Sequence, residues 1–136
     1  MRPKSKSAKY KVALMEKLIV RMRMKEVAQD HGAKLDVLAV PAHFDVEDYS
    51  DVWRVDRKQE PEYRLANLTD TLEAIARISD VPCLNLFHFL RKHRKKHDLY
   101  FKGDDHWNDV GQELSVERTA TFLAAQGLVE SPDPEG

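Results

Sequence analysis

Between Ala8 and Asp30 the apolar positions Leu14, Leu18 and Met22 recur every fourth residue, and Met15 and Ile19 widen the stripe. That period predicts an amphipathic helix from about Ala8 to Asp30, with Gly32 as its stop. The pattern then changes. Leu35-Asp36-Val37-Leu38-Ala39-Val40 is short, mostly apolar and closed by Pro41, as a buried strand of a parallel sheet would be. Asp36 is its anomaly, expected near the strand's N-terminal end and facing solvent or neighbouring backbone. Residues 42–60 form a polar connection with Asp45, Glu47, Asp48, Asp51 and Asp56, interrupted by Tyr49 and Trp53. It reads as a surface excursion with one irregular turn, and loops this long are uncommon unless functional. A second helix is expected after Pro61, a residue suited to a first turn, with Leu65, Leu68, Leu72 and Ile75 on its buried face and Asp80 and Pro82 ending it. Cys83 to Phe87 reads as a second strand, and Phe87 to Lys96 as a short helix with a basic outer face. The last helix is expected to begin near Asp109, where Asp109 and Gln112 have capping-box spacing. Val116, Ala120 and Leu123 give it one face, Phe122 adds bulk, and Gly127 stops it with Leu128 folded back on the last turn.

The order helix, strand, helix, strand, helix predicts an α/β fold with a short parallel sheet flanked by helices and a right-handed crossover. One domain is expected over residues 9–128, between disordered tails at 1–8, which is basic, and 129–136, which carries two prolines. Two strands alone make a poor sheet, because three or more are usually needed for independent stability. The chain is therefore expected either to homodimerise through a strand edge or to be the end of a larger sheet.

Composition narrows the function classes. The 136 residues are 42% hydrophobic and 33% charged, enough for a core under a heavily charged surface. Lys plus Arg (22) nearly cancel Asp plus Glu (23), which disfavours bulk attraction to nucleic acid or a membrane surface. Cys83 is the sole cysteine, so no intramolecular disulfide forms, which fits a reducing compartment. No apolar run approaches the roughly 20 residues that span a bilayer. Glu16 and Lys17 interrupt the stretch from Val12 to Val20, which argues against a signal peptide. A cytoplasmic location is expected for the chain as written.

The chemistry concentrates in Leu99-Tyr100-Phe101-Lys102-Gly103-Asp104-Asp105-His106-Trp107-Asn108-Asp109-Val110-Gly111. In open α/β sheets, loops at the carboxyl ends of strands gather ligands. A histidine there can act as a general base when a carboxylate fixes its tautomer. Asp104 and His106 lie two apart and can meet when the loop curls; Trp107 would pack beneath it.

Asp104-x-His106-Trp107-Asn108-x-x-Gly111, followed by an amphipathic helix, resembles the final block of SGNH (GDSL-type) hydrolases. The match is to a branch with Asp-x-His spacing, a pair also found in alginate O-acetylation proteins. Many esterases of the superfamily use Asp-x-x-His, and in that register the acidic position would be Gly103. Asp104 is thus the expected orienting carboxylate, with Asp105 as the alternative. The resemblance covers about residues 9–128 and implies the C-terminal part of a flavodoxin-like, three-layer SGNH domain. It implies ester hydrolysis or O-acyl transfer, His106 as base, no metal or organic cofactor, and an ester or acylated carbohydrate as substrate. The family's Gly-Asp-Ser nucleophile block is absent from these residues. Ser5, Ser7, Ser79, Ser115 and Ser131 sit in tails or helical stretches, and Ser50 in the long loop is the one serine with any prospect. The chain alone is accordingly expected to be incomplete and inactive, with its serine upstream.

Plainer readings stand beside these. His106 could be an ordinary loop histidine. His93 and His97 would share a helix face and, with His88, suggest a metal, but Arg94, Lys95 and Lys96 between them disfavour a cation. The run Arg91 to His97 could contact phosphates, though no aromatic stacking platform accompanies it. Cys83 reads as a buried strand residue, and His43, just past a strand's end, as a residue that could border a cleft. The functional alternatives are a non-catalytic remnant that docks with an N-terminal half or another copy, and a small basic-patch RNA binder.

Overall fold

Alternation of side chains across two short strands organises the described residues into three layers. Val37–Ala39 (β1) and Cys83–Asn85 (β2) pair in parallel, Leu38 opposite Leu84. The computed structural model describes residues 6–17, 23–47 and 64–129. Its helices are α1 (Lys6–Glu16), α2 (Met24–Asp30), α3 (His43–Val46), α4 (Asn67–Ile78), α5 (Leu86–His93) and α6 (Asp109–Ala125). Val37 and Cys83 face Ile75, Ala76, Val81 and Leu72 around α4, together with Val12 and Met15 of α1. Leu84 faces the opposite way, into a core of Val46, Leu86, Phe87, Leu90, Leu99 and Tyr100, against which Val110, Leu114 and Phe122 of α6 pack. The expected α/β class holds.

Several expected boundaries move, each for a local reason. The first helix is not continuous to Asp30: Arg23 adopts the left-handed conformation (φ 54°) and separates α2 from what precedes it. Leu18, Ile19 and Met22 lie outside the described residues. At the other end α1 begins at Lys6, within the stretch read as a tail, and buries Ala8. Asp36 precedes β1, half-buried, with Oδ1 lacking a hydrogen-bond partner among the described residues. β2 stops at Asn85 because the Asn85 side chain accepts from Phe87 N (3.0 Å) and starts α5, so Leu86 and Phe87 are helical. The second helix starts at Asn67, leaving Leu65 in a turn; Pro61 falls outside the described residues. Val116, Ala120 and Leu123, read as a packing face of the last helix, line an open groove instead.

Helix ends follow the expected chemistry more closely. Gly32 and Gly127 take positive φ, where a side chain is disfavoured. Gly127 N donates to Ala124 O (2.9 Å) and Leu128 N to Leu123 O (3.0 Å), the paired bonds of a Schellman stop. Asp80 makes the same stop for α4 without glycine (φ 53°), and Lys25 Nζ binds both its carbonyl (2.7 Å) and its carboxylate (2.5 Å). Among the described residues no helix is long and apolar enough to cross a membrane.

Candidate active site

The loop between α5 and α6 is a small antiparallel hairpin, not a free excursion. Tyr100 bridges Trp107, Phe101 N donates to His106 O (3.1 Å), and Asn108 N donates to Leu99 O (3.1 Å). Gly103 turns the chain with φ 78°. The base of the hairpin is buried at Leu99 and Tyr100. Asn108 closes it by accepting from Gly111 N (3.0 Å), which caps α6, while its Nδ2 donates to Asp98 O (2.8 Å). The cap is therefore Asn108, one residue before the expected Asp109. Gly111 is required by contact: a Cβ there would lie 2.1 Å from the Leu99 carbonyl oxygen.

At the hairpin tip the two expected partners meet. One Asp104 carboxylate oxygen accepts from His106 Nδ1 and also from the His106 backbone N–H (2.9 Å). Both residues are exposed. The hydrogen bond and charge of Asp104 push the His106 imidazole above its ordinary pKa, and the bonds from His106 hold the Asp104 carboxyl below the usual range. An ionised carboxylate only accepts, so Nδ1 carries the proton. Nε2 has no hydrogen-bond partner among the described residues and is the basic lone pair.

The neighbouring Asp105 takes a different partner. Its carboxylate pairs with Nδ1 of His43, whose side chain is 14% exposed. His43 opens α3, immediately past the carboxyl end of β1, and its ring approaches Tyr100 (6.2 Å between centroids). Tyr100 Oη donates to Pro41 O (2.9 Å) in the same segment, and the Glu47 carboxylate accepts from Leu99 N (2.7 Å). These ties hold the hairpin over the carboxyl end of β1, where open α/β sheets bind ligands. Glu47 is buried, and that burial raises its pKa, opposed by the Leu99 N–H. Sequence reasoning placed Glu47 in a polar surface loop and missed it; the one hint was an acidic residue directly after the apolar Phe44 and Val46.

Other expected participants lie elsewhere. Ser50 is outside the described residues. Ser7 lies in α1, Ser79 Oγ donates to Ile75 O (2.8 Å), and Ser115 is buried in α6. Among the described residues no serine is hydrogen-bonded to His106. α5 ends at His93, so His93 and His97 do not share a helix face. His88 Nε2 contacts Asp70 Oδ1 (2.9 Å) and His93 Nδ1 donates to Phe89 O (2.8 Å); no group of three metal-ligating side chains forms among the described residues. Arg91 turns inward to the Val46 carbonyl, which weakens the basic-patch reading. Cys83 is half-buried, its thiol pushed up to about 11 by burial, the opposite of an activated nucleophile.

Beside the hairpin runs an open apolar groove of about 520 Å³, between Leu38 of β1 and Val116, Ala120 and Leu123 of α6, reaching Trp107 next to His106. The family model for the SGNH hydrolase-like domain of acetyltransferase AlgX matches residues 4–135. No curated protein and no solved structure matches the chain.

Proposed function

Since this chain belongs to the SGNH hydrolase-like domain family of acetyltransferase AlgX, we propose that it carries the base and the orienting carboxylate of an O-acyl-transfer site. The reading rests above all on Asp104 holding His106 Nδ1, which leaves Nε2 outward and basic at the carboxyl end of a parallel strand. In the proposed cycle a serine Oγ attacks the carbonyl of an ester and gives its proton to His106 Nε2. Asp104 stabilises the imidazolium. The tetrahedral intermediate collapses, His106 returns the proton to the departing alkoxide, and an acyl-serine remains. The same base then deprotonates the acceptor, water in hydrolysis or a carbohydrate hydroxyl in transfer, whose oxygen attacks the acyl-serine carbonyl; the serine oxygen leaves and takes the proton back from His106. Positioned general acid–base catalysis of this kind contributes about 10²–10⁴-fold. No step calls on a metal or an organic cofactor.

The nucleophile is proposed to come from a segment outside these residues, since they contain no Gly-Asp-Ser block, with Ser50 as the internal alternative. The groove supports this. A strand added beside β1 in parallel would cover Leu38 and bring its own carboxyl end to the rim where His106 stands. The test is p-nitrophenyl acetate hydrolysis by this chain joined to a Gly-Asp-Ser segment of the family. Turnover is expected with the joined protein and not with the chain alone, falling at least a thousandfold in His106→Ala, on the order of a lost triad member. Equal turnover in the wild type and His106→Ala would overturn the reading.

A second reading, a non-catalytic module that pairs with another copy through the same groove, is favoured by the exposure of Leu38, Val40 and Val116. It predicts a concentration-dependent dimer in sedimentation, dispersed by Ala120→Glu, and no ester turnover in any combination.

A further inference from the structure

Asp104 and Asp105 are adjacent, both exposed, and both exert charge on the His106 ring. An isolated Asp-Asp-x-type loop offers an imidazole either carboxylate, and a base whose partner alternates is poorly held. Here one of the pair is taken out of competition. The His43 side chain, largely buried, stands edge-on to Phe44 (5.5 Å) and beside Tyr100 (6.2 Å), with Nδ1 on the Asp105 carboxylate. The helix that carries His43 is itself anchored, since His43 O accepts from Glu47 N (2.7 Å) and Glu47 holds Leu99 N. The Asp105 carboxylate therefore meets a donor on a separate element, while the Asp104 carboxylate binds the His106 ring and the backbone N–H groups of the hairpin tip.

We propose that His43 is a positioning residue that captures Asp105 and so leaves Asp104 as the one carboxylate bracing His106. Its relevance to turnover rests on the acyl-transfer reading; the hydrogen-bond exchange it describes does not. The predicted consequence is coupling between residues 43 and 104 at the His106 ring. A merely structural contact would loosen the hairpin without redirecting Asp105.

The test is an NMR titration of the His106 imidazole, which needs no ester substrate and so fails independently of the proposed chemistry. In the wild-type background Asp104→Asn is expected to remove nearly all of the upward displacement of the His106 midpoint, leaving the smaller effect of the Asp105 charge. In the His43→Phe background, which keeps a ring against Tyr100 but lacks the donor, Asp104→Asn is expected to remove only part of it, because freed Asp105 moves onto Nδ1. His43→Asn, whose amide nitrogen can replace Nδ1, is expected to restore the wild-type response. An identical loss from Asp104→Asn in the wild-type and His43→Phe backgrounds would overturn the proposal. Should His43→Phe fail to fold, Asp105→Asn in the otherwise native chain decides. Retention of most of the displacement supports the assignment, and a loss as large as that of Asp104→Asn refutes it.

Discussion

His106 carries a hydrogen bond that fixes its tautomer, and that bond has a measurable sign. A carboxylate on Nδ1 favours the imidazolium, so the His106 midpoint is expected above the ordinary value of about 6.5. On the proposed acyl-transfer reading, base catalysis needs neutral Nε2, so turnover should rise with pH through that displaced midpoint. Asp104→Asn should move the pH–rate profile downward while slowing the reaction. A wild-type profile centred at or below the ordinary value would contradict the assignment. Glu47 gives a second residue-scale prediction. Burial raises its folded pKa above the ordinary value of 4.5, so its stabilising contribution is full below that value and is lost as pH rises through the folded pKa. Glu47→Gln keeps the acceptor for Leu99 N and removes the charge. In urea denaturation it should match or exceed the wild type at neutral pH, the gap narrowing in acid. Glu47→Ala should cost about 1–3 kcal/mol by leaving the buried Leu99 N–H unpaired.

At the scale of elements, the hairpin and α6 behave as one piece because Gly111 packs on the Leu99 carbonyl and Asn108 bonds across both. Gly111→Ala should destabilise the fold by about 1–3 kcal/mol through overpacking against backbone, and should broaden the His106 resonances as the Tyr100–Trp107 bridge opens. Asn108→Ala should cost about 1 kcal/mol as a lost cap. Unchanged thermal unfolding in Gly111→Ala would contradict the contact. The elements that sequence patterning made legible were those with a local cause: the glycine stops, the parallel pair, the helix after Trp107. The end of β2 was not legible, since Leu84 to Phe87 is apolar except for Asn85 and periodicity alone cannot divide strand from helix there. Nor was the role of Glu47, whose partner lies 52 positions away.

Across the whole molecule, α6 is apolar on two sides. Val110, Leu114 and Phe122 meet the core, while Val116, Ala120 and Leu123 line the groove beside β1. A sequence reading that assumes one buried face per helix selects the wrong stripe, because the second stripe is left open by the two-stranded sheet of the described residues. The site shares that character. The contact of Asp104 with His106 was legible from their spacing, whereas the pairing of His43 with Asp105 arises only through the packing of α3 against the hairpin. On the proposed account, the groove and the outward Nε2 await the same serine-bearing segment. The most direct measurement is mass spectrometry of the acyl-enzyme, trapped by mixing this chain, joined to such a segment, with p-nitrophenyl acetate and quenching in acid. The account predicts an acetyl group on one serine, its formation abolished in His106→Ala and slowed in Asp104→Asn. Acetyl-serine formed at an unchanged rate in His106→Ala would contradict it.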